Sequence, residues 1–385
     1  MIDREAGQAI VALTDAFRVA VVTGPRQSGK TTLLKNRFER YAYYNLEDLN
    51  TFDIVQADPM GFVRANSEVI VDEVQRLPEL LSAIQVVVDE RNILGDYILS
   101  GSQNLLISEK ISQSLAGRAA YQTLLPLSMS ELTAVGKLKQ ELTEQIWTGF
   151  YPALYSTEVS PALYYQQYVA TYVERDVRAI KNIQDLGLFR KFMTLLAGRI
   201  GQLVNYESLA NDTGVSAVTV EKWLSVLEAS YIIYRLKPYH ANIGKRLIKS
   251  SKIYFIDTGL ACFLLGINSP EVISTHHLLG GLFENMIIMD IRKCLMNQNQ
   301  GQDTLYFYRD SNGNEVDLVI DRGVQGLLPI EIKASGRPAP DFTSGIVTFR
   351  EALGLGDSDG RVVYAGDEGL VIKGVTFMNW RNIHL

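Results

Sequence analysis

Cysteine and histidine are scarce in this chain: two of the first and four of the second among 385 residues. Two thiols, Cys262 and Cys294, cannot build a disulfide framework or a four-thiolate zinc site. His240, His276, His277 and His384 show no ligand spacing with carboxylates or cysteines, and they read as structural. Long hydrophobic runs are missing as well. A membrane helix needs roughly 18 consecutive apolar residues, and the longest candidate, Leu260 to Ile267, is far shorter. Asp3, Arg4 and Glu5 precede a short apolar strand, which is not the pattern of a signal peptide. These absences lead us to expect a cytoplasmic protein that neither spans nor docks on a membrane. A large excess of positive charge is absent too: the net charge is −6, which argues against a protein coated in nucleic acid.

What is present is globular. Hydrophobic residues make up 47% and charged residues 21%, close to the averages of folded domains. The length favours two to four domains. The net charge hides an asymmetry. Lys and Arg against Asp and Glu number 12 to 16 over residues 1–130, 5 to 6 over 131–184, 10 to 6 over 185–265 and 10 to 15 over 266–385. Only the third segment is basic, by 10 − 6 = +4, so contact with a polyanion is expected there.

Residues 1–130 alternate β-branched runs (Val19 to Thr23, Val69 to Val71, Tyr97 to Leu99) with helical spacing, as in Leu80 to Asp89. That alternation predicts a parallel sheet covered on both faces. Strand signals vanish over 131–184, where Leu163 to Ile180 reads as a tyrosine-rich helix. Helices over 188–236 are followed by a strand-rich stretch from Lys237 to Asp257. Residues 266–385 return to mixed α/β, with a helix at Leu282 to Lys293 and strands near Thr304 to Arg309, Val316 to Ile320 and Pro329 to Lys333.

Gly24, Pro25, Arg26, Gln27, Ser28, Gly29, Lys30 and Thr31 form a full G-x-x-x-x-G-K-[ST] match between a strand and a helical run, with Thr32 following. Glycines let such a loop aim backbone N–H groups at phosphate oxygens, and the next helix adds its positive end. Lys30 would meet the β and γ phosphates, and Thr31 would offer its hydroxyl to Mg²⁺. A second acidic site is expected at Asp72 and Glu73, which close a buried strand. Asp72 suits the metal shell and Glu73 suits polarising the attacking water. Ser102, ending the third strand, is a candidate γ-phosphate sensor, against the alternative of a plain turn. Arg118 is a candidate arginine finger, acting in its own or a neighbouring subunit, against an ordinary salt-bridged arginine.

Together these residues resemble a P-loop ATPase of the AAA+ class. More narrowly, they resemble the bacterial and archaeal AAA+ proteins fused to a C-terminal domain of unknown function. The matching stretches are Gly24 to Thr32, Val71 to Arg76, Ile98 to Ser102, Tyr172 to Arg178, Tyr254 to Leu260, Glu315 to Val319 and Glu331 to Lys333. The resemblance implies ATP as ligand, Mg²⁺ as cofactor and, for the class, oligomers with nucleotide near a subunit boundary.

Two further constellations extend the reading. Tyr206 to Ala210, a turn at Asn211 to Gly214 and Ser216 to Ala229 read as helix, turn, helix. Val220, Trp223, Leu224 and Leu227 form the buried stripe, with Thr219 and Lys222 outward. Lys245, Arg246, Lys249 and Lys252 follow on what reads as a β-hairpin wing. This winged-helix pattern points to DNA, with protein contact as the alternative. In the last segment Glu284, Asp317, Glu331 and Lys333 resemble the PD-(D/E)xK nuclease constellation, whose carboxylates hold Mg²⁺ or Mn²⁺. The expected architecture is therefore α/β: a P-loop sheet over 1–130, a helical lid over 131–184, a winged helix-turn-helix over 185–265 and a nuclease-like domain over 266–385. ATP hydrolysis coupled to DNA is the leading function. An ATP-held switch with an unidentified protein partner and an ATP-gated nuclease are the rivals.

Overall fold

The computed structural model describes residues 2–101, 115–173, 185–239, 250–300, 304–356 and 359–383. Ser102, Lys245, Arg246, Lys249 and the stretch 174–178 lie outside the described residues.

Helix α1 (Ala6–Ala16) leads into β1 (Val19–Thr23), whose five residues are all buried. Then come α2 (Lys30–Arg37), β2 (Ala42–Asn45), α3 (Leu49–Ala57), α4 (Pro59–Ala65), β3 (Val69–Asp72), α5 (Glu79–Arg91), β4 (Tyr97–Gly101) and β5 (Ala119–Thr123). The five strands pair in the order β2-β3-β4-β1-β5, every pairing parallel. Buried apolar side chains lie on both faces, Val19 and Val21 in one cluster and Ala20 and Val22 in another. A parallel sheet demands that two-sided cover, and continuous β-branched runs supply it. Asp48 and Asp58 cap α3 and α4, each accepting a backbone N–H from the first turn.

The sheet hands over to helices at Ser128, which forms a capping box with Glu131 at the start of α6 (Met129–Ala134). Short helices α7 (Leu142–Thr148), α8 (Ala153–Ser156) and α9 (Pro161–Tyr168) follow. Beyond Tyr168 the helix widens to π pitch over Val169–Val173, so the single α-helix expected from Leu163 changes pitch instead. Tyr151, Tyr164, Tyr165 and Tyr168 pack on one another.

Helices α10 (Leu186–Ala197), α11 (Tyr206–Thr213) and α12 (Ala217–Ala229) then precede β6 (Ile233–Pro238) and β7 (Lys252–Phe255), an antiparallel pair. Ser216 caps α12, accepting from the Thr219 N–H, and Val220, Trp223, Leu224 and Leu227 are buried as the stripe predicts. After α13 (Thr258–Leu264) and α14 (Pro270–Thr275), the long helix α15 (Leu279–Asn297) crosses toward β8 (Leu305–Arg309), β9 (Glu315–Asp321) and β10 (Leu327–Lys333). Helix α16 (Ser344–Leu353), β11 (Arg361–Tyr364), β12 (Leu370–Ile372) and β13 (Val375–Asn379) finish the chain.

The boundary expected at 265/266 is crossed by structure. β6 pairs in parallel with β8, matching Lys237 to Tyr306 and Pro238 to Phe307, and the strands of both segments form one eight-stranded sheet. One buried cluster likewise runs from Leu125 to Trp380. A fragment of residues 266–385 leaves the β8 edge unpaired, so it should melt well below a 185–385 fragment, or aggregate. Equal, cooperative thermal melts for the two fragments would show that the β6–β8 pairing contributes nothing.

Candidate functional site

The loop after β1 is shaped by backbone that few residues tolerate. Gly24 has φ +145°, and a Cβ there would lie 2.2 Å from the Leu124 carbonyl oxygen. Gly29 (φ +94°) leads into α2 in the left-handed region, where only glycine sits without strain. Lys30, 6% exposed, folds back over the loop and donates to the carbonyls of Gly24 (2.9 Å) and Pro25 (2.8 Å). A phosphate could take over this cation, since the lysine then exchanges neutral carbonyls for charged oxygens.

Across from the loop, β3 delivers Asp72. Its Oδ2 accepts from the Thr31 hydroxyl at 2.7 Å and from the Tyr43 hydroxyl at 2.8 Å. Its Oδ1 accepts from Ser100 Oγ, since β4 runs beside β3. The hydroxyl and carboxylate expected to share Mg²⁺ thus meet directly, and hard oxygen donors of this kind fit that ion. Glu73 follows with φ +55°, turned out of the strand. Burial is the main reason its carboxyl is pushed above the usual range, while Arg26 and Lys30 draw it back down. Gln75 donates to it. A carboxylate of raised basicity suits a proton acceptor.

Beside Gly29 and Thr32 opens a cavity of about 270 Å³, with Ile2, Leu127 and Pro152 as apolar walls and Asp3 and Asn36 as polar lining. Arg4, 7% exposed, donates to the Ser28 carbonyl (2.6 Å), the Leu125 carbonyl (2.7 Å) and Glu131 (2.9 Å). Sequence reasoning missed both Arg4 and Tyr43. Neither belongs to a recognisable spacing, and their partners lie far away in the chain.

Arg118 is not brought to this site. β1 and β5 are parallel, with Val19 opposite Ala119, so Arg118 sits at the end of β1 remote from the loop. Five residues of strand put it about 17 Å away. It forms two 2.6 Å bonds to Asp89 of α5 instead.

In the C-terminal sheet, Asp317, Glu331 and Lys333 do converge. Lys333 Nζ lies 2.5 Å from Glu331 and 3.3 Å from Asp317. Glu284 reaches them from α15 but is held at 3.0 Å by Lys252, which also lies 2.5 Å from Glu315. Lys252 is therefore corrected: expected on an outward DNA-binding wing, it is 3% exposed on β7 and paired internally. Burial raises Glu331, with Asp317 adding to the effect. Burial would raise Asp317 too, but Lys333 and Lys252 hold it below its ordinary value. Lysines thus stand between these carboxylates, and no group of three or more His, Cys, Asp or Glu among the described residues is arranged to hold a metal ion. On α12, Lys222 is exposed and Thr219 is half-buried, its hydroxyl 2.9 Å from Ser216 Oγ.

A family model described as an AAA domain matches residues 16–133. Two models of domains of unknown function, DUF8612 and DUF4143, match residues 139–271 and 279–383. An uncharacterized protein of Mycobacterium tuberculosis, Rv2008c, is 30% identical over 308 residues, 79% of this chain and 67% of that protein. Another, MJ1544 of Methanocaldococcus jannaschii, is 22% identical over 94% of this chain and 88% of its own. Among solved structures, the Walker-type ATPase PABY2304 of Pyrococcus abyssi is 15% identical, covers 69% of this chain and 96% of that one, and has a TM-score of 0.39.

Removing one member of a buried ion pair strands the other's charge. Lys252→Ala should therefore cost about 3–5 kcal/mol in urea unfolding, while Lys222→Ala, at the surface, should leave the midpoint unmoved. A neutral Lys252→Ala would return this lysine to the surface role it was first assigned.

Proposed function

The chain belongs to the same family as mycobacterial Rv2008c and joins an AAA domain to a C-terminal domain of unknown function; on that premise we propose that it binds ATP with Mg²⁺ and hydrolyses it. The observation that carries this reading is the direct bond between Thr31 and Asp72 beside a half-buried Glu73. Backbone N–H groups from Arg26 to Thr32, at the start of α2, would receive the phosphates, with Lys30 released from its carbonyls to the β and γ oxygens. Thr31 and Asp72 would hold Mg²⁺, and Tyr43 and Ser100 keep the Asp72 carboxylate turned toward the loop. When bound, Mg²⁺ neutralises charge on the β and γ phosphates. Glu73 would orient water and accept its proton. The cavity beside Gly29 and Thr32 suits a nucleobase, with apolar walls for the ring and polar groups for its edge.

For the larger partner, we read α10 to α12 with the β6–β7 pair as a winged-helix unit that contacts DNA through Thr219 and Lys222, with Lys245, Arg246 and Lys249 on the intervening segment. Lys252 leaves that set, so less charge is free for DNA than the count of +4 suggested. This favours, as a second reading, an ATP-held switch with a protein partner. The lysine-filled carboxylate set supports a binding or structural role for the last domain over cleavage. Arg118, paired with Asp89, reads as structural; a finger role in a homo-oligomer would have to serve a neighbouring copy's nucleotide.

Two experiments test these assignments. Lys30→Ala should abolish binding of a fluorescent ATP analogue, whereas Glu73→Gln should bind normally and hydrolyse at least about 100-fold more slowly. Wild-type turnover in Glu73→Gln would remove Glu73 from the chemistry. Neutralising Lys222, Lys245, Arg246 and Lys249 together should weaken duplex binding and flatten its salt dependence. No change, or no duplex binding at low salt, would leave the switch reading standing.

A further inference from the structure

One tyrosine outside the AAA domain reaches the foot of the phosphate loop. Tyr231 follows α12 and is 7% exposed. Its hydroxyl lies 2.8 Å from Thr23 Oγ1, which is itself 3.3 Å from Thr123 Oγ1. Thr23 is the last residue of β1, immediately before Gly24, and 208 positions separate it from Tyr231. The contact therefore joins the three-helix segment to the residue on which the loop is hinged.

The backbone at Tyr231 marks the side chain as retained against a cost. Its φ is +55°. The Ile232 N–H bonds to the Leu227 carbonyl at 2.9 Å, closing α12 as helices close on a left-handed residue. Glycine is the usual occupant of that position, because a Cβ is disfavoured there. A tyrosine kept in such a conformation, with its hydroxyl bonded to a distant strand, points to a task for the hydroxyl.

That task follows from what nucleotide would change. Lys30 bonds the carbonyls of Gly24 and Pro25, and phosphate would draw it away. The Gly24 carbonyl is one peptide from Thr23, and Thr23 is tied into the sheet: it pairs with Gly101 and Thr123, and its carbonyl accepts from the Leu124 N–H at 2.8 Å. Resting on the ATP-binding reading above, we propose that Tyr231 is a positioning residue of the phosphate loop. Through its bond to Thr23, nucleotide occupancy is coupled to α12, the helix that carries Lys222 and Trp223. Coupling of this kind is reciprocal, so a partner that holds α12 also tightens nucleotide binding.

Hydrogen exchange on the full chain, with and without ATP analogue, separates the two claims. Peptides over residues 24–37 report occupancy of the loop, and peptides over 217–232 report α12. In the wild type, nucleotide should protect both. Tyr231→Phe keeps the ring and loses the hydroxyl; protection of 24–37 should survive with affinity lowered about fivefold, as for one hydrogen bond, while the response of 217–232 should be lost. Thr23→Val, isosteric and suited to a strand, should do the same from the other side, and the double variant should add nothing further. Full α12 response in both single variants would overturn the proposal, as would wild-type protection confined to 24–37. Absence of any nucleotide-dependent protection would instead sink the ATP reading, and the coupling with it.

Discussion

A single buried guanidinium holds the junction on which the rest is assembled. Arg4 binds the Ser28 carbonyl in the phosphate loop, the Leu125 carbonyl after β5 and the Glu131 carboxylate that caps α6. Both charged side chains are almost sealed from solvent. Such a pair persists because each guanidinium nitrogen finds a partner; a half-satisfied version would cost several kcal/mol of desolvation. Glu131 also accepts from the backbone N–H groups of Glu5 and Ser128, so the N-terminal segment, the loop and the first helix after the sheet share one carboxylate.

From there the connection passes to α15. The Met129 N–H bonds to Asp290 at 2.6 Å, and Lys293, one turn on, lies 3.7 Å from the centre of the Phe150 ring. Burial pushes Asp290 up to about 6 and draws Lys293 below its ordinary value, the two partly offsetting each other. Near its N-terminal end the same helix places Glu284 against Lys252. One helix thus spans from the neighbourhood of the loop to the carboxylates of the C-terminal sheet, and its polar residues are spent on that traverse.

What could be read from sequence was local or alternating. The loop motif, the two carboxylates closing β3, three strands of the first sheet (β1, β3 and β4) and the stripe of α12 announce themselves through spacing within a few residues, whereas β2 (Ala42–Asn45) and β5 (Ala119–Thr123) carry no β-branched run. Glu284, Asp317, Glu331 and Lys333 were legible as an ordered set; the structure joins the last three, while Glu284 is bonded to Lys252 and Tyr254. Lys252 was misread because a lysine three positions from Lys249 in a basic run looks like surface; only the buried strand and Glu284, 32 residues on, show otherwise. Arg4 and Tyr231 left no trace in sequence, since their partners are 24 to 208 positions away. The pairing of β6 with β8 is equally silent, because a strand carries no local sign of which neighbour it will choose.

That pairing also sets a timetable. β6 ends at Pro238 and its partner β8 begins at Leu305, so 305 − 238 = 67 positions separate them. At about 5–20 residues per second of synthesis, the edge of β6 waits roughly 3–13 s for the strand that covers it. The first sheet has all five of its strands by Thr123 and can close long before. Birth on the ribosome therefore divides the molecule differently from its finished shape: an early half that folds as it emerges, and a late half, from the three helices to the last strand, that must be kept from aggregating until nearly the whole chain exists.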